Sequence, residues 1–183
     1  MKDFFRKIKL VDNLTTEIEI QRNEFVARLK ENVDEGSTSL FSDMFDVFSS
    51  SSNEYKGTIR MEYFKLRRRR RFFDMNMNVA VAKGTFTQKE KILIVDTEIN
   101  GFSGMMIPFY MFAIIFYLIF ISTFLFAENI EGASFAFPFL VIHAAFMFGL
   151  PYFVMRRSVD RMKHELEREF YYMTKNKTPY NNS

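Results

Sequence analysis

Two stretches of the chain, residues 105–127 and 133–155, each run 23 residues without Asp, Glu, Lys or Arg. A helix over either would reach roughly 34 Å, against a hydrocarbon core of about 30 Å. With 183 residues in all, the chain is too short to enclose two helices that are apolar all round, so both read as membrane spans and not as the core of a soluble protein. The connection Glu128-Asn129-Ile130-Glu131-Gly132 leaves room only for a tight reversal, and Gly132 offers it a permissive backbone. The spans are therefore expected to form an antiparallel hairpin.

Charge gives the hairpin a direction. Arg156 and Arg157 follow the second span, Lys89 and Lys91 precede the first, and the connecting loop has no basic residue. Positive flanks stay in the cytoplasm, so the domain before the hairpin and the tail after it share the cytoplasmic side. The first twenty residues mix charges with single apolar residues and hold no continuous apolar region of the kind a signal peptide needs. Pro108 falls near the start of the first span, while Pro138 and Pro151 fall near the ends of the second, where a missing hydrogen bond costs least.

His143 is the one ionisable group within either span. In an antiparallel hairpin, residues at equal depth have numbers with a constant sum, and facing ends at Ala127 and Ala133 place Tyr117 opposite His143. A hydrogen bond between them satisfies both groups and fixes the register, a structural role favoured here over a proton relay because the spans hold only scattered Ser and Thr besides.

Residues 1–102 form the expected cytoplasmic α+β domain. Residues 1–14 show no clear pattern, although Ile8 and Leu10 suit an edge strand. Residues 16–21 alternate in the manner of a half-buried strand, with Ile18 and Ile20 on one face. A helix is expected from Asn23, as N-cap, to Val33, carrying Phe25, Val26 and Leu29 and stopped by Asp34-Glu35-Gly36. Residues 37–53 read as a Ser-rich loop with one amphipathic turn at about 40–48. Strands are expected over 57–61, 63–72, 78–88 and 91–100 as an antiparallel meander, with Val79, Val81, Phe86, Ile92 and Ile94 on the apolar face.

After the hairpin, residues 156–173 space Val159, Met162, Leu166, Phe170 and Met173 by three and four, an amphipathic helix able to return to the sheet. The alternative is a helix lying on the bilayer surface. Residues 174–183 are polar and are read as a disordered tail. The expected fold class is thus α+β with membrane helices, an antiparallel meander packed by helices and a transmembrane hairpin inserted before the last amphipathic helix.

The chain has no cysteine, which excludes disulfides, thiolate metal sites and cysteine nucleophiles. Neither a HExxH pair, a paired-carboxylate motif, a phosphate loop nor a nucleophile elbow is present, and His164 and the Glu165, Glu167, Glu169 series read as a solvated helix face. No enzyme activity, cofactor or metal is expected. The strongest local signal is the run Arg67, Arg68, Arg69, Arg70, Arg71. On a strand these side chains alternate, so neither face is expected to be deeply buried there. Together with Arg156 and Arg157 they are the candidates for contact with anionic lipid head groups; the plainer reading is a charged edge strand that resists strand addition. Nucleic acid is not an expected partner, since no recognition motif accompanies the run. Membrane lipids are, with a protein partner or a second copy as further possibilities.

Thr16-Glu17-Ile18-Glu19-Ile20 before a helix, Tyr55-Lys56-Gly57-Thr58-Ile59, Phe64-Lys65-Leu66-Arg67-Arg68, Ala82-Lys83-Gly84 and the two spans together resemble a loose group of uncharacterised bacterial membrane proteins with a small cytoplasmic domain and a membrane hairpin. That resemblance implies a bacterial inner (plasma) membrane. The element order is also similar to a shortened helix-grip fold, as in START-like proteins, which implies an alternative function as a carrier or sensor of an apolar ligand held between sheet and last helix.

Overall fold

The computed structural model describes residues 2–38, 53–69, 78–104, 106–126 and 133–175. Its elements run α1 (Lys2–Lys7), β1 (Val11–Ile18), α2 (Arg22–Glu31), β2 (Val33–Glu35), β3 (Tyr55–Ile59), β4 (Tyr63–Arg68), β5 (Val81–Lys89), β6 (Ile92–Asn100), α3 (Met106–Phe126) and α4 (Ala133–Lys175). The six strands form one sheet in the order β1-β6-β5-β4-β3-β2.

The sheet is mixed, which corrects the purely antiparallel meander. β2 pairs in parallel with β3, Val33 facing Tyr55, while every other pair is antiparallel. Val33 fits the helical pattern in the sequence because Asp34-Glu35-Gly36 reads as a stop only after it. Three residues are too few for alternation to show.

The inner face is built by Leu14 and Ile18 of β1, Phe64 and Leu66 of β4, Ala82 and Phe86 of β5, and Leu93, Val95 and Ile99 of β6. This is the opposite parity from the expected Val79, Val81, Ile92 and Ile94; Ile92 is 40% exposed. β6 offers apolar residues on both faces, and what covers the sheet decides between them. Phe64 lies over Gly84, where an added Cβ would stand 2.2 Å from its ring, so the glycine creates the room that the inward Phe needs.

Two helices cover that face. α2 contributes Phe25, Val26 and Leu29, and the second half of α4 contributes Val159, Met162, Leu166, Phe170 and Met173 to the same core. The amphipathic stripe thus rests on the sheet and not on a surface outside the fold. Asn23 is not the N-cap of α2. Gln21 occupies that position without a side-chain cap, and the orphan N–H of Arg22 donates instead to Oε1 of Gln88 on β5 at 2.9 Å. β1 starts earlier than expected, at Val11, and residues 2–7 are helical; β4 ends at Arg68. Residues 70–72, the expected turn at 40–48 and all but the first two residues of the expected 174–183 tail lie outside the described residues.

α3 and α4 leave the domain together. Each contains a window apolar enough to cross a membrane, with mean hydropathy 2.1 and 1.8, and only 11% and 6% of those windows is buried within the protein. Core helices of a soluble protein would be mostly covered. Here Phe112, Leu118, Phe139 and Phe153 are all more than 60% exposed. α4 runs unbroken through Pro138 and Pro151, from the apolar stretch into the domain core; its 43 residues correspond to about 65 Å.

Candidate functional site

Strand register fixes which side chains share the end of the sheet from which the apolar helices depart. Asn100, the last residue of β6 before α3, faces both Val11 and Val81. Val81 faces Arg67, and Arg68 faces Tyr55. The start of β1, the end of β4 with its arginines and the exit of β6 are therefore level. α4 joins them there: Ser158 Oγ accepts the backbone N–H groups of Val79 and Ala80, both at 2.9 Å. At Gly101 an added Cβ would lie 2.7 Å from the Met155 carbonyl oxygen, so only glycine lets β6 pass this close to α4.

The basic run is less exposed than its composition suggests. Arg67 points to the outer face yet is only 2% exposed, and its Nη2 donates to the Asn78 carbonyl at 3.4 Å. The expectation that neither face is deeply buried fails at this residue, because the chain returning through Asn78 passes over it. On the inner face, Arg68 forms a charge-assisted hydrogen bond to Glu165 of α4 and lies 3.8 Å from Glu54. Arg69 pairs with Asp34 at 2.9 Å. Arg70 and Arg71 lie outside the described residues. Arg156 is half-buried and Arg157 exposed, both on α4 just beyond its apolar part.

Glu165 corrects the solvated-face reading of residues 165–169. Its side chain is 15% exposed, and burial pushes its carboxyl above the usual value even though Arg68 and Arg161 pull it down. Tyr55 beside it is raised far above the ordinary phenol range, first by burial and then by the nearby Glu165 and Glu169. This inner corner is a partly buried ion-pair network joining the start of β3, β4 and α4. A second link closes the other edge: Asp12 of β1 bonds Lys163 of α4 at 2.7 Å. Burial raises the Asp12 carboxyl, but the Lys163 hydrogen bond and charge, the Asn13 N–H and Lys9 together bring it below the ordinary 3.8.

Within the hairpin, Tyr117 and His143 are brought together, with the hydroxyl 2.7 Å from Nδ1. Tyr117 packs with Ala113 and Leu140 in the seam between α3 and α4. Tyr110 stacks on Phe148 nearer the domain, about two turns from Tyr117 along α3, with ring centroids 5.8 Å apart.

Between the centre of the sheet and the last helix, the space is filled by side chains. Phe170 of α4 meets Phe25 and Phe64 at 5.5 and 6.1 Å between ring centroids, and Phe86 meets Phe25 and Phe64 at 5.7 and 5.3 Å. Among the described residues no group of His, Asp and Glu could hold a metal ion. His164 is exposed, 4.0 Å from Glu167. Two contributors carry no signal in the sequence: Ser158, an ordinary serine until β5 is brought to it, and α1, too short for periodicity to reveal. Compared with protein-family models, curated proteins and solved structures, the chain has no match in any of the three.

Proposed function

We propose that this chain is a two-span membrane protein whose α+β domain is held against the cytoplasmic face of the bilayer, where it contacts anionic lipid head groups. The observation that carries the reading is the gathering at one end of the fold of both apolar helix exits, of Arg156 and Arg157, and of the strand end bearing Arg68 and Arg69. Each exposed basic side chain near an anionic surface contributes about 1 kcal/mol. Arg157 and Arg156 are the better placed. Arg67, Arg68 and Arg69 hold the domain together and set where the run enters the β4–β5 connection.

In this reading the hairpin is an anchor inserted into one domain, since the residues before and after it share a single core. The domain carries no catalytic step. A bacterial plasma membrane as the location rests on the sequence resemblance alone. The carrier alternative finds no support in a core filled by four phenylalanines.

The test is lipid analysis of the full chain extracted with its surrounding bilayer by an amphipathic polymer. Enrichment of anionic over zwitterionic lipid is expected around the wild type, with a clear fall for the double substitution Arg156→Gln and Arg157→Gln. Equal lipid composition around both would remove the head-group role, and a stoichiometric co-purifying polypeptide would point to a protein partner.

A further inference from the structure

α1 carries Lys2, Asp3, Arg6 and Lys7 beside Phe4 and Phe5, and Lys9 follows after Ile8. It has no buried residue, and Phe4 is 60% exposed. A helix of six residues has no stability of its own, so its position must come from what holds it.

Three contacts tie its C-terminal end at the helix exits. Phe5 stacks on Phe102, between β6 and α3, at 4.8 Å between ring centroids. The Gly101 N–H donates to the Leu10 carbonyl at 2.9 Å. The Tyr152 hydroxyl donates to the Ile8 carbonyl at 3.2 Å. Tyr152 precedes Arg156 by four residues, or about 6 Å along the helix, and side chains lean toward the helix N-terminus, which here is the apolar side. The end of α1 is thus tied at the depth where α4 changes from apolar to basic.

The turn out of α1 adds a second observation. Lys9 N–H donates to the Arg6 carbonyl at 3.0 Å and Leu10 N–H to the Phe5 carbonyl at 2.9 Å, the paired bonds of a Schellman ending. Lys9 occupies the left-handed position of that motif, with φ 57°. Glycine takes this conformation without strain. A lysine there keeps a charge beside the helix exits at the expense of local strain.

We propose that α1 is a third membrane contact: an interfacial anchor that lays Phe4 among the lipid glycerol groups while Lys7 and Lys9 meet anionic phosphates. Lys2 and Arg6 have a different task. They reach Glu98 on the outer sheet face, at 3.1 and 3.9 Å, and fix the roll of α1 on the domain. The occupant of this surface is the bilayer because Phe5, Ile8 and Leu10 are tied where the two long helices leave the domain, next to the apolar-to-basic change in α4, and the exposed Phe4, Lys7 and Lys9 flank those ties. The inference rests on the two-span reading, and its test separates the two.

The chain has no tryptophan and no cysteine, so either can be introduced as a single reporter. Full-length Phe4→Trp, reconstituted in vesicles of mixed zwitterionic and anionic phospholipid, is expected to fluoresce at shorter wavelength than Met61→Trp, whose site lies in the β3–β4 turn at the far end of the sheet. Bromines placed high on the acyl chains should quench it at least about twofold more strongly than the turn reporter, as fits a helix buried about 5–10 Å into the interface. Leu118→Trp, on α3, must be quenched by bromines placed deep; if it is not, the two-span reading fails. If Leu118→Trp is quenched and Phe4→Trp behaves like Met61→Trp, the anchor alone is overturned. Phe4→Cys carrying a spin label gives an independent check, with oxygen accessibility expected to exceed that to a water-soluble nickel complex and the reverse order overturning the proposal. Lys7→Gln with Lys9→Gly in the Phe4→Trp chain should reduce quenching in anionic vesicles and leave it unchanged in zwitterionic ones; equal quenching in both would remove the phosphate contact.

Discussion

Ser158→Ala tests how the apolar helix pair is clamped to the domain. Ser158 is 2% exposed, and its hydroxyl oxygen accepts two backbone N–H groups, those of Val79 and Ala80. The methyl of alanine fills nearly the same space, so the loss is that of hydrogen bonds and not of packing. Ala80 is 1% exposed, and its N–H would be left buried without a partner at about 1–3 kcal/mol. Val79 is half-buried and water can replace its bond, so that loss adds at most about 1 kcal/mol. A total near 2 kcal/mol corresponds to a fall in melting temperature of roughly 4–8 °C for a chain of this size. In detergent micelles, the thermal transition of Ser158→Ala should move by that amount, and hydrogen exchange at the Val79 and Ala80 amides should accelerate by up to about thirtyfold. An unchanged transition together with unchanged protection at both amides would refute the clamp.

Phe170→Ala removes a ring that is fully buried between Phe25 and Phe64 and should cost about 3–5 kcal/mol, read by denaturant titration in micelles; a loss under about 1 kcal/mol would mean that α4 does not return to the sheet as described. The two inner-face carboxylates should respond to pH with opposite signs. Asp12, lowered in the fold, contributes stability that is present above its ordinary 3.8 and is lost as pH falls through its folded value, so the advantage of wild type over Asp12→Asn should shrink on acidification. Glu165, raised in the fold, contributes stability that is full below its ordinary 4.5 and is lost as pH rises through its folded value, so Glu165→Gln should gain on wild type over that rise. Unfolding curves at several pH values check both, and parallel profiles would contradict the assignments. For the hairpin, a double-mutant cycle of Tyr117→Phe and His143→Phe in bicelles should show a coupling of about 0.6 kcal/mol; zero coupling would leave the hydrogen bond without energetic weight.

The long, strongly patterned features were legible in the sequence. Uninterrupted apolar runs marked α3 and the first half of α4, and the spacing of Val159, Met162, Leu166, Phe170 and Met173 marked its second half. The constant-sum rule paired Tyr117 with His143 because a five-residue connection leaves an antiparallel hairpin little freedom. Features decided by distant partners were not legible. β6 has apolar side chains on both faces, and only the covering helices choose Leu93 and Val95 over Ile92 and Ile94. Arg67 looks like a surface residue until the chain returns over it at Asn78. Glu165 looks like a neighbour of Glu167 until Arg68 arrives from β4. α1 is too short to show a period, and its position depends on Phe102 and Tyr152, about a hundred and a hundred and fifty residues away.

In the proposed topology, α3 and α4 cross the bilayer as a hairpin with the domain and the end of α4 on one side. The absence of cysteine makes its test direct. Single cysteines at Lys30 on α2, Glu128 in the connection and Lys175 at the end of α4 are exposed in intact cells to a membrane-impermeant maleimide. Labelling is expected at Glu128→Cys alone until the membrane is opened, after which Lys30→Cys and Lys175→Cys react as well. Labelling of Lys30→Cys or Lys175→Cys in intact cells, or a Glu128→Cys that reacts only after opening, would contradict it.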